Sequence, residues 1–463
     1  MDPPKRISYD AGVEKVHFIG AAGAGVSALA QIHLMSGGAA TGSDRAFDQG
    51  KAQELKRKLE SLGLAVFPQD GSALGSGHAY AVASAAVEAD NPDLAKAKAL
   101  GLPVKQRADQ LAEHVKKHKT IAVAGTSGKS TVAAMIFEIL HKSGRSPSII
   151  AGGELNFLKS QGRVGNAFAG SSDLLVVEAD ESDGTLVKYE PWLGVVLNVS
   201  KDHKEVGDIL AMFETFKRHS ASLIAHEARG LESLRPGSAT FGIESGDVRA
   251  EGLSATATGS RFTIRGEPFE VPAPGRHNVE NAVAAAAACL RAGVPLKEAS
   301  RALATFQGVA RRFERVGGSR DVDVVDDFAH NPAKVRAALE AAHLRPGRVL
   351  AVFQLHGYAP ARFLKNDFVK AFSDCLAPGD ILWMPEIYYA GGSVTRDISA
   401  EDVVRAVAAS GHDARFSQRR PDIVGAVAKE ARAGDLILVM GARDPSLPAF
   451  AREILSALGA RGG

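Results

Sequence analysis

Cysteine is almost absent from this chain, since only Cys289 and Cys375 occur among 463 residues. Two distant cysteines exclude a disulfide framework and give no zinc-binding spacing. Cys289 falls in an Ala-rich stretch, where a small buried thiol is expected. No hydrophobic run approaches the roughly 18 apolar residues of a membrane span. The first residues, MDPPKRISYD, lack the apolar core of a signal sequence. We therefore expect a cytoplasmic protein without membrane insertion.

An excess of charge of one sign is also missing, because 55 Lys and Arg face 53 Asp and Glu, for a formal net charge of +2. This balance argues against a nucleic-acid partner. Hydrophobic residues make up 45% of the chain, as in an ordinary soluble globular protein. What is abundant is glycine, with 48 residues, enough for several phosphate loops and strand-to-helix turns.

Alternating strand and helix patterns predict an α/β protein of three domains, as the length also suggests. Residues 1–117 open with the strand KVHFIGAA and predict a Rossmann-like domain. Residues 118–316 open with TIAVAGTSGKST and predict a central P-loop ATPase-like α/β domain, in which the Thr- and Gly-rich stretch 238–271 forms a small antiparallel sheet. Residues 317–463 predict a C-terminal Rossmann-like domain. The polar, basic stretch HVKKHKT, from His114, is predicted to be a linker.

The strongest local signal is VAGTSGKST, from Val123 to Thr131. Glycines let backbone N–H groups turn toward phosphate oxygens at the start of a helix, whose dipole favours anions. Lys129 can reach the β- and γ-phosphates of ATP, and the Ser130 hydroxyl can hold Mg²⁺. The strict Walker pattern has glycine where this chain has Val123. The stretch predicts ATP binding, and the alternative is a glycine turn that merely starts a helix.

Carboxylates follow a later strand of the same segment, in the sequence EADESDG. Glu178 comes at the carboxyl end of an apolar strand, where open α/β sheets place ligand groups. Asp180, Glu181 and Asp183 make the loop acidic and suited to a hard cation, although a solvated acidic loop is the alternative. His203, in VSKDH, is a candidate because its strand could neighbour that of Glu178.

In their order along the chain, these motifs resemble the Mur ligases of peptidoglycan synthesis, most of all the members that join L-alanine to UDP-N-acetylmuramate. The matching stretches are FIGAAGAGVSALA, TGSD, SAAVEADNP, GTSGKST, VVEADESDG, VSKDH, PGRHNVENAVAA, GVARRFE, VVDDFAHNP and MGA. The resemblance implies an ATP-dependent ligase that forms an amide bond through an acyl phosphate, with ATP and Mg²⁺ as cofactors. It also implies small-molecule partners (UDP-N-acetylmuramate, ATP and an amino acid or peptide) and a monomer or weak dimer.

The resemblance assigns the site residues position by position. The UDP-substrate site takes Gly20, Gly23, Gly25, Ser43, Asp44 and Ser84. The ATP site takes Gly125, Thr126, Ser127, Gly128, Lys129, Ser130, Thr131, Asn278, Asn281 and Arg312. The catalytic set is Lys129, Glu178, His203, Asn278, Asn281, Arg312 and Asp327. The metal ligands are Ser130, Glu178, His203 and a carbamylated Lys217. The acceptor site takes His330, His356 and Arg362.

The first of these sites has a second interpretation. Read alone, the N-terminal glycine loop indicates a dinucleotide site, with Asp44 at the distance expected for a ribose. The alternative is an NAD-dependent enzyme, and the second phosphate loop argues against it.

The hypothesis for Lys217 comes from a spacing. It stands about 14 residues after His203, where glutamate- and diaminopimelate-adding members carry a carbamylated lysine. The alternative is a solvated surface lysine.

Several positions depart from the alanine-adding pattern. Ser127 and Asn331 replace histidines, Gly357 and Pro360 replace arginines, and Gly392 replaces a glutamate. Most lie in the C-terminal segment, which the family uses to select the amine. A recycling ligase that attaches a ready-made tripeptide, or a ligase for another amino acid, is therefore an alternative. A non-catalytic nucleotide-binding regulator is a further one.

Overall fold

The computed structural model describes residues 14–201, 204–227, 230–389 and 395–460. The chain forms two compact units. The first takes most of the chain up to Glu251 with Thr263–Phe269 and Glu280–Val309, and the second takes Gly252–Phe262, Glu270–Val279 and the chain from Ala310 onward. Among the helices of the described ranges, none combines the length and the apolar character needed to span a bilayer.

The N-terminal sheet is parallel, with five strands in the order β3-β2-β1-β4-β5. Its elements are β1 (Lys15–Ile19), α1 (Ala24–Met35), β2 (Ala39–Ser43), α2 (Arg45–Asp48), α3 (Gln53–Ser61), β3 (Ala65–Phe67), β4 (Tyr80–Ala83), α4 (Pro92–Ala99), β5 (Val104–Gln106) and α5 (Arg107–Lys117). This order is that of a Rossmann-like half, as predicted, and it brings the carboxyl ends of β1, β2 and β4 to one edge.

The second sheet has ten strands, in the order β15-β14-β13-β12-β11-β10-β6-β9-β7-β8. Its elements are β6 (Lys119–Ala124), α6 (Lys129–Lys142), β7 (Ser148–Ile150), α7 (Asn156–Lys159), β8 (Ala167–Phe168), β9 (Leu174–Ala179), β10 (Leu193–Val196), α8 (Val206–His219), β11 (Leu223–His226), β12 (Ala239–Ile243), β13 (Val248–Thr256), β14 (Gly259–Ile264), β15 (Glu267–Val271), α9 (Arg276–Arg291) and α10 (Leu296–Leu303). Short 3-10 helices span Thr185–Lys188 and Glu232–Leu234. Strands β10, β6 and β9 lie side by side and parallel, so their carboxyl ends share an edge.

The predicted linker from His114 is wrong. Helix α5 continues to Lys117, and only His118 separates it from β6, which begins at Lys119. Val115 is fully buried, so the stretch is an amphipathic helix end whose basic residues lie on the outer face. The polar composition indicated a loop because those outer-face residues outnumber the buried ones.

The C-terminal sheet lies in the second unit and has six strands, in the order β16-β17-β21-β18-β19-β20. Its elements are β16 (Glu314–Ser319), β17 (Val322–Asp327), α11 (Pro332–Ala342), β18 (Val349–Gln354), α12 (Tyr358–Phe363), α13 (Lys365–Cys375), β19 (Ile381–Pro385), α14 (Ala400–Ala409), β20 (Asp413–Ser417), α15 (Arg420–Glu430), β21 (Leu436–Gly441) and α16 (Leu447–Gly459). Edge strand β16 is antiparallel to β17, and the pairs β17–β21, β21–β18, β18–β19 and β19–β20 are parallel. The predicted boundary between residues 316 and 317 falls inside β16, so this sheet begins at Glu314.

Candidate active site

The phosphate loop connects β6 to α6. Gly125 has φ +143° and Gly128 has φ +86°, values that favour glycine. Val123, at the Walker glycine position, is fully buried within β6, and Gly125 makes the turn in its place. The backbone N–H groups of the loop therefore lie at the N-terminus of α6, where the helix dipole favours an anion. Thr131 is buried in the first turn of that helix.

Asn198, which sequence reasoning missed, fastens the phosphate loop to the chain after β10. Its Oδ1 accepts hydrogen bonds from Thr126 Oγ1 at 3.0 Å and from the backbone N–H of Ser127 at 2.9 Å, and its Nδ2 donates to the Ser127 carbonyl at 3.1 Å. The motif LNVSKDH contains the residue, and its position after β10, next to β6 in the sheet, was the available signal.

Lys129 is held by the acidic loop after β9. Its Nζ donates to the Gly125 carbonyl at 2.7 Å and to Glu181 Oε2 at 2.7 Å, and it lies 3.5 Å from Asp180 Oδ1. Burial alone would lower the pKa of Lys129, but the carboxylates of Glu181 and Asp180 outweigh it and raise that pKa above its ordinary value. The amine is therefore a charged ammonium, as neutralisation of a phosphate requires.

Glu178 and Ser130 each lie against one glycine of the pair Gly152–Gly153, which sequence reasoning also missed. The N–H of Gly152 donates to Glu178 Oε1 at 2.9 Å. A Cβ built on Gly152 would stand 3.3 Å from Glu178 Oε2, and one built on Gly153 would stand 3.4 Å from Ser130 Oγ. These oxygen donors suit Mg²⁺. His203 lies outside the described residues. No group of three or more His, Cys, Asp or Glu side chains suited to a metal occurs among the residues that are described.

Asn281 reaches the same loop. A Cβ built on Gly128 would stand 2.6 Å from Asn281 Oδ1, so this side chain of α9 occupies the space beside the loop. Asn278 lies one turn earlier on α9, is buried, and donates from Nδ2 to the Pro274 carbonyl at 2.7 Å.

The N-terminal glycine loop begins at the end of β1. Gly20 has φ +82°, and Gly23 caps α1 without any side-chain hydrogen bond. Asp44 binds backbone at both carboxylate oxygens, accepting from the N–H of Ala22 at 2.9 Å and that of Ala46 at 2.7 Å. Asp44 thus shapes the loop, and its contact with a ribose stays a prediction.

The two serines of this predicted site have partners inside their own domain. Ser43 is fully buried and donates to Asp93 Oδ2. Ser84 Oγ accepts from the N–H of Ala86 at 3.2 Å.

The second unit carries the remaining predicted residues. Arg311 and Phe313, which flank Arg312, have φ +60° and +50°, a strained arrangement for residues with side chains. Asp327, at the end of β17, accepts from the N–H groups of Phe313 at 2.6 Å and Ala329 at 2.7 Å. Burial raises the pKa of Asp327, although nearby Arg312 favours its charged form. The strained segment is therefore fastened to the end of β17 through Asp327.

The acceptor residues divide into two groups in this unit. His330 follows β17 and His356 follows β18, and the centroids of their rings lie 5.7 Å apart. Lys334, which sequence reasoning missed, places its Nζ 3.2 Å from His330 Nε2. Arg362 forms an ion pair with Asp397 instead.

Lys217 is at the C-terminal end of α8, in its last turn. Its Nζ donates to the carbonyls of Leu234 at 2.8 Å and Pro236 at 2.6 Å. The Lys217 amine therefore has a structural contact at the C-terminal end of α8. The acidic loop is contacted from the other end of the helix, where Lys204, which precedes α8, donates to the Glu181 carbonyl at 3.1 Å. The carbamate remains an untested hypothesis, and the metal site proposed below omits Lys217.

Comparison with known proteins gives full-length matches. Three family models match, described as the Mur ligase family catalytic domain over residues 15–119, the Mur ligase middle domain over 123–289 and the Mur ligase glutamate ligase domain over 311–443. The UDP-N-acetylmuramate–L-alanine ligase of Pelotomaculum thermopropionicum is 35% identical over 450 residues, which cover 93% of this chain and 95% of the relative.

Solved structures agree with these matches. The UDP-N-acetylmuramate-alanine ligase of Thermotoga maritima superposes with a TM-score of 0.80 at 25% identity, covering 96% of this chain and 99% of that one. A murein peptide ligase of Psychrobacter arcticus has a TM-score of 0.66 at 23% identity, covering 96% and 99%, and shows the fold alone.

The fold and the phosphate loop define a nucleotide-dependent α/β enzyme, and a second glycine loop precedes α1. The chain belongs to the Mur ligase family. The α/β fold and the class of ATP-dependent amide-forming ligase, both predicted from the sequence, are confirmed by these relatives.

Proposed function

We propose that this enzyme joins the carboxylate of UDP-N-acetylmuramate to the amino group of L-alanine in peptidoglycan precursor synthesis. One observation carries the proposal: the glycine loop before α1 and the phosphate loop before α6 lie in one compact unit. Each starts a helix whose dipole favours an anion. One loop suits a sugar nucleotide, as the UDP-N-acetylmuramate in the relatives' names leads one to expect, and the other loop suits ATP.

The reaction needs an activated carboxylate, because a carboxylate does not condense with an amine near neutral pH. In the proposed sequence, a carboxylate oxygen attacks the γ-phosphorus of ATP, ADP leaves, and an acyl phosphate forms. The amine then attacks the acyl carbon and loses a proton, the bond between the acyl carbon and the phosphate oxygen breaks, and inorganic phosphate leaves as the amide forms. Phosphoryl transfer of this kind depends on positioning and charge neutralisation.

The residues of this chain take roles that follow from their contacts. The Lys129 ammonium leaves Glu181 to neutralise charge on the γ-phosphoryl group, and Asn198 and Asn281 hold the loop beneath the phosphates. Arg312 is proposed as a second cation for the same group and Asp327 as the anchor of its segment. Ser130 and Glu178, with His203, would hold Mg²⁺, which when bound supplies positive charge to the phosphates.

The remaining predictions form part of the same proposal. The cytoplasmic location and the monomeric or weakly dimeric state agree with an enzyme whose partners are small molecules, and the proposed domain limits place the last boundary at Glu314, where β16 begins. Light scattering of the purified full chain tests the oligomeric state directly.

The test is an acceptor screen with ATP, Mg²⁺ and UDP-N-acetylmuramate, read by mass spectrometry and phosphate release. We expect a product with L-alanine, and a loss of at least about 100-fold in Lys129→Met, because the phosphate loop loses its cation. Phosphate release without L-alanine product, but with a tripeptide product, would favour the recycling ligase, for which Gly357 and Pro360 speak. Nucleotide binding without turnover of any acceptor would favour the regulator.

A further inference from the structure

Arg107 lies against the N-terminal glycine loop, although neither the sequence motifs nor the family match assigns it a role. It is the first residue of α5, directly after β5. A Cβ built on Gly25 would stand 2.5 Å from Arg107 Cδ and 3.2 Å from its Nε. The arginine side chain therefore fills the space that a side chain at position 25 would take. Gly25 is needed for this contact and not for a turn, because its φ is not positive.

The surroundings of Arg107 favour an anion. The first turn of α1 contains no acidic residue and no side chain caps it. The Asp44 carboxylate binds the N–H of Ala22, two residues before the helix begins, and leaves the N–H groups of the first turn to a ligand. Gly23 and Ala24 are exposed, which leaves the N-terminus of α1 open to a ligand. The Arg107 side chain is only 25% exposed, and a guanidinium held beside backbone N–H groups forms strong, charge-assisted hydrogen bonds with phosphate.

A carboxylate of the acidic loop orients the guanidinium. Arg107 Nη2 donates to Asp183 Oδ2 at 2.7 Å, which uses one of the five guanidinium N–H donors. Asp183 is itself fixed, because its Oδ1 accepts from Thr185 N at 2.9 Å and from Thr185 Oγ1 at 2.6 Å. Two residues earlier in the same loop, Glu181 holds Lys129. The acidic loop therefore contacts the principal cation beside each glycine loop.

We propose that Arg107 is a ligand of the UDP diphosphate and that Asp183 positions it over the glycine loop. The inference rests on the proposed function, since it assumes that the N-terminal loop takes a sugar nucleotide. It adds a full positive charge to a site that otherwise offers a helix N-terminus.

The chain offers a matched control for a purely structural role of Arg107. Lys188 forms an ion pair with Asp109 of the same helix α5, at 2.5 Å. This pair joins α5 to the segment after the acidic loop, as the Arg107–Asp183 pair does. Lys188 contacts Asp109, two residues along α5 from Arg107. If Arg107 only fastens α5 to that segment, Lys188→Gln should resemble Arg107→Gln.

The experiment measures binding of uridine, UDP, UDP-N-acetylmuramate and ATP to the full chain by calorimetry. In Arg107→Gln we expect UDP and UDP-N-acetylmuramate to bind about 10- to 100-fold more weakly, as loss of a charged hydrogen-bond donor predicts. Uridine and ATP should keep their affinities within about threefold, since uridine has no phosphate and ATP uses the other loop. Lys188→Gln should bind all four ligands like the wild type.

The outcomes separate this inference from the proposed function. Wild-type protein that binds no uridine nucleotide overturns the proposed function and the inference together. Wild-type protein that binds UDP while Arg107→Gln binds it equally well overturns the inference alone. Equal losses for uridine and UDP, or an equal loss in Lys188→Gln, also overturn it. If Arg107→Gln does not fold, Arg107→Lys provides the test, because the retained charge should keep part of the UDP affinity while the lost planar fork costs the rest.

Discussion

Asn198 holds the phosphate loop by three hydrogen bonds, and its removal should affect one substrate only. In Asn198→Ala we expect the KM for ATP to rise about 10- to 100-fold, because each of these bonds contributes on the order of 1 kcal/mol to the loop conformation. The KM for UDP-N-acetylmuramate should stay unchanged. Steady-state kinetics with each substrate varied in turn provides the measurement.

Asn198→Asp is the matched variant for this test. It keeps the oxygen that accepts from Thr126 and Ser127 but loses the donor to the Ser127 carbonyl. It also adds a negative charge near the phosphates, so ATP should bind more weakly than to the wild type. Equal changes for both substrates would show that Asn198 supports the whole domain and not the loop.

A substitution of Lys217 distinguishes a structural lysine from a carbamylated metal ligand. Its ammonium donates to two carbonyls of the 234–236 segment, so Lys217→Met should lower stability to urea by about 1–3 kcal/mol. Activity should not depend on bicarbonate. Arg218→Met is the control, since Arg218 contacts Thr215 of its own helix. A native mass that reveals bound CO₂, together with bicarbonate-dependent turnover, would contradict the structural role and support the carbamate.

Which site residues the sequence could predict depends on how local their signal is. Lys129, Ser130 and Glu178 stand in short motifs next to strand ends, and the structure places them where those motifs lead one to expect. Asn198 acts through a contact between the chain segments that follow β6 and β10, and Gly152 acts through a contact between the segment that follows β7 and strand β9. Such contacts need the strand order of the sheet, which no single motif contains.

Among the secondary-structure elements, helix α1 is linked to the segment before the short strand β8 by the buried side-chain amide of Asn166. Asn166 Nδ2 donates to the Ala24 carbonyl at 2.8 Å and to Ser27 Oγ at 3.2 Å, and its Oδ1 accepts from Gln31 Nε2 at 2.8 Å. Asn166→Ala should lower stability by roughly 2–4 kcal/mol, because buried polar groups of α1 lose their partners. Chemical unfolding measures this loss.

The same variant makes a second prediction about binding. Asn166 lies just before β8 in the central sheet and its partners start the helix behind the glycine loop, so UDP affinity should fall while ATP affinity holds. Gln161→Ala, an exposed change in the same connection, is the control. An Asn166→Ala protein as stable as the wild type would contradict the role assigned to this amide.

The elements themselves were predictable where a pattern repeats over many residues. The strand–loop–helix order of β1 and α1 and of β6 and α6 follows from apolar runs broken by glycines. The end of α5 was missed because its buried face holds few residues among many basic ones. Strand β16 was missed because ERVGGS lacks apolar alternation and is stabilised by pairing with β17, a tertiary contact that overrides local preference.

For the whole molecule, two partly buried histidines predict a loss of stability in acid. Burial lowers the pKa of His277 to about 4, and burial likewise lowers that of His114 to about 4. In the unfolded chain a histidine has a pKa near 6.5. The unfolded state therefore binds protons first as the pH falls, so the stability is fully present above about pH 6.5 and is lost between there and pH 4.

The size of this effect can be measured with one substitution. At pH 5 each histidine should cost on the order of 1–2 kcal/mol. The wild-type Tm should fall between pH 7.5 and pH 5, and His277→Asn should fall less, because it has no proton to take up. An identical pH dependence in both proteins would show that His277 is already protonated or solvated in the folded state.

Because only His118 separates α5 from β6, recombination between related genes at this point should rarely give a folded protein. A crossover placed between α5 and β6 would have to preserve the angle of a helix that leads straight into a central strand. A chimaera of two relatives with an exchange point there would combine an α5 and an acidic loop that evolved apart. Exchange points that keep α5, β6 and the acidic loop (residues 107–184) from one parent should therefore give folded hybrids far more often than those that divide this stretch at His118.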